Sequence, residues 1–167
     1  MTIVSATGHR PNKLGSYDLP NPIYNYVCKE TERILKELNP DKCISGAALG
    51  YDQYFMNVCF RLGIPVIAAV PFIGQEKMWP EKSQRMYHKL LEKAESVVII
   101  SEGGYSAQKM RIRNEWMSNN SDIVLACFDG SRGGTGNAVA YAQSKNKKII
   151  FIDPRLALKG LTEKEQF

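Results

Sequence analysis

Short apolar runs alternate with longer helical stretches along almost the whole chain. The runs at Thr2–Thr7, Lys42–Ser45, Pro65–Val70, Ser96–Ile100, Ile123–Phe128 and Lys148–Ile152 have the length and near-continuous hydrophobicity of strands buried on both faces. Between them the pattern predicts helices over Ile23–Leu38, Tyr51–Leu62, Glu81–Ala94, Ala107–Asn119 and Thr135–Ser144. In the first of these, Ile23, Val27, Ile34 and Leu38 share one face. Glycine and proline supply the punctuation. Gly8–Pro22 is a proline-containing loop, Asn39-Pro40-Asp41 ends the first helix, Gly63 caps the second, and Pro71–Pro80 is a loop carrying Trp79. Strands alternating with helices predict one α/β, Rossmann-like domain over residues 1–154, with a mostly parallel sheet of about six strands and helices on both faces. A polar tail over residues 155–167 is expected to be loose.

In open sheets of this kind the ligand sits outside the carboxyl ends of the strands. Those ends are rich in glycine and polar groups here, whereas the connections at the opposite edge read as plain turns. The asymmetry predicts one composite site. Its most informative piece is Ile123–Phe128, a buried strand, followed by Asp129-Gly130 and then Gly133-Gly134-Thr135-Gly136 leading into a helix. Glycines let backbone N–H groups approach an anion, and the helix N-terminus adds partial positive charge. The turn is not a P-loop, because no Lys-Ser or Lys-Thr closes it, and it lacks the spacing of a G-x-G-x-x-G fingerprint.

Composition narrows the partner. The chain has 167 residues, enough for one domain with a substantial core. Its apolar runs are too short to span a membrane as helices, and nothing near Met1 resembles a signal peptide, so a cytoplasmic location is expected. Four cysteines without C-x-x-C spacing read as buried thiols, and two histidines do not suggest a metal centre; no metal or cofactor is expected. A net charge of +5 suits an anionic partner. That charge is scattered, with one tight cluster at Lys145, Lys147 and Lys148 and no basic stripe interleaved with aromatics. The pattern favours a phosphorylated small molecule over nucleic acid.

Five segments together resemble the SLOG superfamily, the Rossmann-like group that contains DprA/Smf proteins and the LOG phosphoribohydrolases, and within it the YpsA-like branch. They are Thr7-Gly8-His9-Arg10-Pro11, Ser45–Asp52, Pro71–Trp79, Arg113–Met117 and Asp129–Asn137. The resemblance implies a nucleotide-derived ligand, ADP-ribose-, NAD- or cyclic-nucleotide-like, bound by a sensor or sequestering protein. It also implies a rival, an N-glycosidase of the LOG type, and more distantly a single-stranded DNA-binding module. LOG-type enzymes carry Gly-Gly-x-Gly-Thr-x-x-Glu, in which the glutamate assists loss of the base. Here Asn137, Ala138, Val139 and Ala140 follow the glycine turn, so that glutamate is missing.

The candidate ligand contacts follow from these segments. Gly133, Gly134 and Thr135 are expected to bind phosphate, and Asn137 to contact ribose or phosphate, or to cap the helix. Gly8 lets the chain pass close to the ligand, Arg10 offers a planar fork to phosphate, and His9 offers a donor or general acid. Gly46 and Gly50 frame a second glycine turn, with Asp52 expected on ribose hydroxyls. From the loop after the third strand come Phe72, Gln75, expected to read a base edge, and Trp79, expected to stack on the base. Arg113 and Asn114 are expected to reach the site from the side, with Tyr105 forming a further wall. If the protein is an enzyme, Glu76 and Asp129 are the first carboxylates expected to do the chemistry, with Asp52 and Glu115 as alternatives; Asp129 is a candidate ligand contact as well. Tyr24, Tyr26, Phe55, Phe60 and Trp116 are expected to offer apolar surface for a homo-oligomer.

Overall fold

Each apolar run forms a strand in the computed structural model, which describes residues 1–158. The strands are β1 (Ile3–Gly8), β2 (Lys42–Ser45), β3 (Val66–Val70), β4 (Ser96–Ile99), β5 (Ile123–Cys127) and β6 (Lys148–Ile152). The helices are α1 (Pro22–Leu38), α2 (Tyr51–Arg61), α3 (Glu81–Lys93), α4 (Ala107–Asn119) and α5 (Gly134–Ser144), with a 3-10 turn at Pro11–Lys13. The local signals act as expected. Asn21 caps α1 by accepting a hydrogen bond from the Tyr24 N–H, and Asn39 ends it in the left-handed conformation.

All strand pairs are parallel, in the order β4-β3-β2-β1-β5-β6. The chain steps outward from β1 to β4, crosses back through α4, and places β5 on the other side of β1. The order therefore reverses between β1 and β5, and their carboxyl ends flank the crevice where such sheets bind ligands.

The two faces are packed differently. On one, Val4, Ala6 and Cys43 of the sheet meet Val27 and Leu35 of α1, Phe55 and Met56 of α2, and Leu90 of α3. Each fully buried side chain of this size contributes about 1.5–3 kcal/mol. On the other, Met117 of α4 packs on Ile44 and Ala69, and α5 lies against α4, β1 and β5. Ser5 faces this side and bonds Ser121 Oγ at 2.8 Å, so a polar pair lies beneath α4 and α5.

One part of an expectation is overturned: of the five aromatic residues expected to offer apolar surface, Phe55 is fully buried and belongs to the core. Helix α2 buries Tyr51 through Met56 and Val58 and Cys59, because α1 and α3 flank it. Phe60 on the same helix, like Tyr24, Tyr26 and Trp116, keeps part of its side chain exposed. Tyr24 packs edge-on against Tyr54, and Trp116 packs against the Ile44 cluster. The exposed apolar residues include Val97 and Ile99 on the edge strand β4. All four cysteines are buried and free. Among the described residues no helix is long and apolar enough to cross a membrane. In the segment expected to be loose, the chain turns at Pro154 and buries Ala157; residues 159–167 of that tail lie outside the described residues.

Candidate functional site

The reversal of strand order opens a cleft of about 1190 Å³, built from the end of β1, the loop after β5, the start of α5 and one side of α4. Helix α5 points its N-terminus into it. Gly133 is the N-cap at φ +143°, no side chain caps the helix, and no acidic residue stands in its first turn. The first helical hydrogen bond runs from the Asn137 N–H to the Gly133 carbonyl at 2.9 Å. The amides of Gly134, Thr135 and Gly136 precede it. A Cβ on Gly133 or Gly134 would meet nothing within 4 Å, so the space before these amides is open. Unpaired amides at a helix N-terminus are donors aimed at an anion.

His9 joins β1 to β5 across the crevice. Its Nε2 lies 2.9 Å from Asp129 Oδ1 and 3.0 Å from the Asp129 backbone nitrogen. It serves one of them at a time: as N–H it donates to the carboxylate, and as a lone pair it accepts from the backbone. Burial lowers the His9 pKa, against the pull of Asp129, and favours the neutral ring. Asp129 is held well below the usual carboxylate range, first by hydrogen bonding from Ser131. Its Oδ1 also accepts the Ser131 N–H at 2.8 Å, and Lys13 Nζ donates to Ser131 Oγ. Asp129 is thus an ionised anchor for the glycine loop.

Arg113 forms the floor. It is 2% exposed, and its Nη1 donates to the carbonyls of Gly46 at 2.7 Å and Ala69 at 3.1 Å. Its Nε donates to Asn114 Oδ1 at 2.9 Å. Asp52 is buried beside it, accepts the Ala48 N–H at 3.2 Å, and acts on the guanidinium through its field, without a hydrogen bond between them. Burial dominates both: it raises the Asp52 pKa and lowers that of Arg113. Only glycine fits at position 46 without displacement, since a Cβ would lie 2.5 Å from Arg113 Nη1 and 2.9 Å from Asp52 Oδ2.

The structure brings Gly8, His9, Arg10, Asp52, Arg113 and Asn114 together with Gly133, Gly134, Thr135 and Asn137 around the cleft. Gly8 also serves close packing, since a Cβ there would lie 2.6 Å from Tyr51. Other candidates stand behind the cleft. Gly50, at φ +97°, abuts the His9 carbonyl where β1 meets α2. Gln75 Nε2 donates to the Gly46 carbonyl at 3.1 Å, the same oxygen that holds Arg113. Phe72 is buried and props Tyr105 edge-on at 6.0 Å between centroids. Trp79 packs edge-on against Tyr87, and Glu76 lies 3.3 Å from His88 Nε2 on α3. Neither Trp79 nor Glu76 lines the cleft. Lys13, Arg132 and Tyr141 do, and were not anticipated. Arg132 adjoins the glycine turn and was legible on that ground. Lys13 and Tyr141 arrive through the tertiary fold.

The chain matches the YspA SLOG family (YpsA) over residues 4–155 and belongs to that family. It is 30% identical over 128 residues to the uncharacterized SPbeta prophage-derived protein YoqJ of Bacillus subtilis, covering 67% of this chain and 75% of that one. In fold it is similar to DNA processing protein A from Streptococcus pneumoniae, with a TM-score of 0.69 and 17% identity over 91% of this chain. It spans 50% of that longer protein. DNA processing protein A from Helicobacter pylori, described for its single-stranded DNA binding mode, gives a TM-score of 0.66 at 20% identity, covering 99% of this chain and 73% of that one. The molybdenum cofactor binding protein of Rippkaea orientalis gives 0.59 at 15% identity, covering 99% and 85%.

Proposed function

We propose that the protein binds a phosphorylated, nucleotide-derived small molecule in this cleft, as a sensor or sequestering protein. One observation carries the reading: the uncapped amides of α5 open into the same crevice as Arg10 and the buried Arg113, at the point where strand order reverses. A structural neighbour that binds the molybdenum cofactor is consistent with a small-molecule ligand on this fold. The test is to incubate the purified protein with AMP, NAD, ADP-ribose and cyclic nucleotides, wash it, and identify by mass spectrometry what heating releases. An intact nucleotide is expected, and Gly134→Asp, which puts a carboxylate before the amides, is expected to lower its retention at least about tenfold. Equal retention by Gly134→Asp would refute the reading.

A second reading, N-glycosidic bond hydrolysis, is favoured by Asp52. It lines the cleft, and burial raises its pKa, the direction a general acid requires. Glu76 lies off the cleft, and Asp129 is committed to Ser131 and His9. Free base together with ribose phosphate in the wash, lost in Asp52→Asn, would establish the hydrolase instead.

A further inference from the structure

The cleft is larger than a mononucleotide site requires, and its chemistry has a centre and two arms. Ligand pockets run from about 300 to 1,000 Å³, and this one reaches about 1190 Å³. Arg10, Lys13, Arg111, Arg113 and Arg132 line it against Asp52 and Glu115, five cations to two carboxylates, an excess of three positive charges. Three of the cations flank the glycine turn or the end of β1: Lys13, whose Nζ donates to Ser131 Oγ, Arg132 directly before Gly133, and Arg10 just after β1. Aromatic rings stand towards the two ends of α4. Tyr105 precedes the helix, is 76% exposed and is braced edge-on by Phe72. Tyr141 reaches the other end, where its hydroxyl donates to Asn119 Oδ1 at 2.9 Å and Lys145 Nζ sits 5.6 Å from its ring centroid. At 1.5 Å per residue, Tyr105 and Asn119 are about 20 Å apart along α4.

Resting on the nucleotide reading of the same cleft, we infer that the ligand is a dinucleotide whose two nucleosides are joined through a pyrophosphate. The adjacent phosphates take the single anion centre formed by the α5 amides with Arg10 and Arg132. One nucleoside lies towards Tyr105 and the other along the α4–α5 groove towards Tyr141. Both rings offer stacking faces, and both are held in place by a partner of their own. A nucleoside monophosphate fills one arm and uses part of the charge. A continuous single strand of DNA is disfavoured by Asp52 and Glu115, which would face its phosphates within the cleft.

The test is calorimetric titration of the purified protein with NAD, AMP and a deoxythymidine 12-mer at fixed salt, in wild type, Tyr105→Ala, Tyr141→Ala and Tyr141→Phe. NAD is expected to bind at least about thirtyfold more tightly than AMP. Each alanine variant is expected to weaken NAD about tenfold, only one of them is expected to weaken AMP, and Tyr141→Phe is expected to keep the NAD affinity because the ring remains. Tyr105 is exposed, so its alanine variant folds and reports even if Tyr141→Ala does not. Equal affinities for AMP and NAD, unchanged in Tyr105→Ala, would overturn the two-armed site and leave nucleotide binding standing. No binding of either nucleotide would overturn the inference, and no retention of any compound in the heat-release assay would bring down the nucleotide reading as well. Tighter binding of the 12-mer than of NAD, falling steeply with salt, would overturn the inference in favour of single-stranded DNA.

Discussion

Replacing Arg113 by Met tests whether the cleft floor holds a charge that the fold must compensate. The substitution keeps a long side chain but removes the donors to the Gly46 and Ala69 carbonyls and the cation beside buried Asp52. Breaking a buried charged arrangement costs about 3–5 kcal/mol when the partner stays behind. The apolar replacement recovers part of that, so we expect a net loss of about 3 kcal/mol. For a domain of this size that lowers Tm by about 6–12 °C, read by circular dichroism. The pH dependence has a definite sign. Burial raises the Asp52 pKa above its unfolded value, so ionised Asp52 costs stability above its folded pKa, and the cost disappears below the unfolded one. Removing Arg113 enlarges that cost. The gap between Arg113→Met and wild type is therefore widest at neutral pH and narrows on acidification. In the Asp52→Asn background the gap is smaller, with a coupling of about 1–2 kcal/mol in the double-mutant cycle. A loss under about 0.5 kcal/mol, a pH-independent gap, or strict additivity would refute this account of the floor.

Glycines of the two turns should separate sharply. Gly50→Ala forces a side chain into a conformation at φ +97° and against the His9 carbonyl, and should cost about 3 kcal/mol or more in urea unfolding. Gly134→Ala meets no atom, and should change stability by no more than about 0.5 kcal/mol while weakening ligand retention in the heat-release assay. Glu76→Gln should leave nucleotide binding within about twofold of wild type, measured by calorimetry, because Glu76 contacts His88 on an exposed face of α3. Neutral, buried His9 has a lowered pKa, so the folded state loses stability as pH falls below its ordinary value of 6.5 and until the folded pKa is passed. His9→Gln should flatten that slope in melts taken from pH 7 to 5.

Much of the architecture was legible because glycine and proline punctuate it. The ends of α1 at Asn21 and Asn39 and the start of α5 at Gly134 follow from local chemistry that sequence displays directly. The site was legible where the strand order made it so, at β1 and β5, whose carboxyl ends carry Gly8-His9-Arg10 and the glycine turn. It was not legible beyond β3. The β3 loop looks as rich in candidates as any other, but two strand spacings, about 10 Å, separate β3 from β1. Trp79 and Glu76 consequently turn to α3, while Gln75 and Phe72 support the site from behind, through Gly46 and Tyr105. Phe55 was misjudged because α2 is flanked on both sides, a fact about neighbours rather than about its own sequence.

Gly8 and Gly50 fit each other's segments reciprocally: one lies under Tyr51, the other under the His9 carbonyl, which also accepts the Tyr51 N–H at 3.1 Å. The joint has no slack. The end of β1 cannot part from the start of α2 without withdrawing the Tyr51 ring from the core, where its hydroxyl bonds Thr31 of α1. In the language of hydrogen exchange, β1, α1 and α2 open as one cooperative unit rather than fraying separately. The ligand-facing loop after β1 is thereby anchored in the part of the molecule that opens last, and His9 ties the loop after β5 to that same unit.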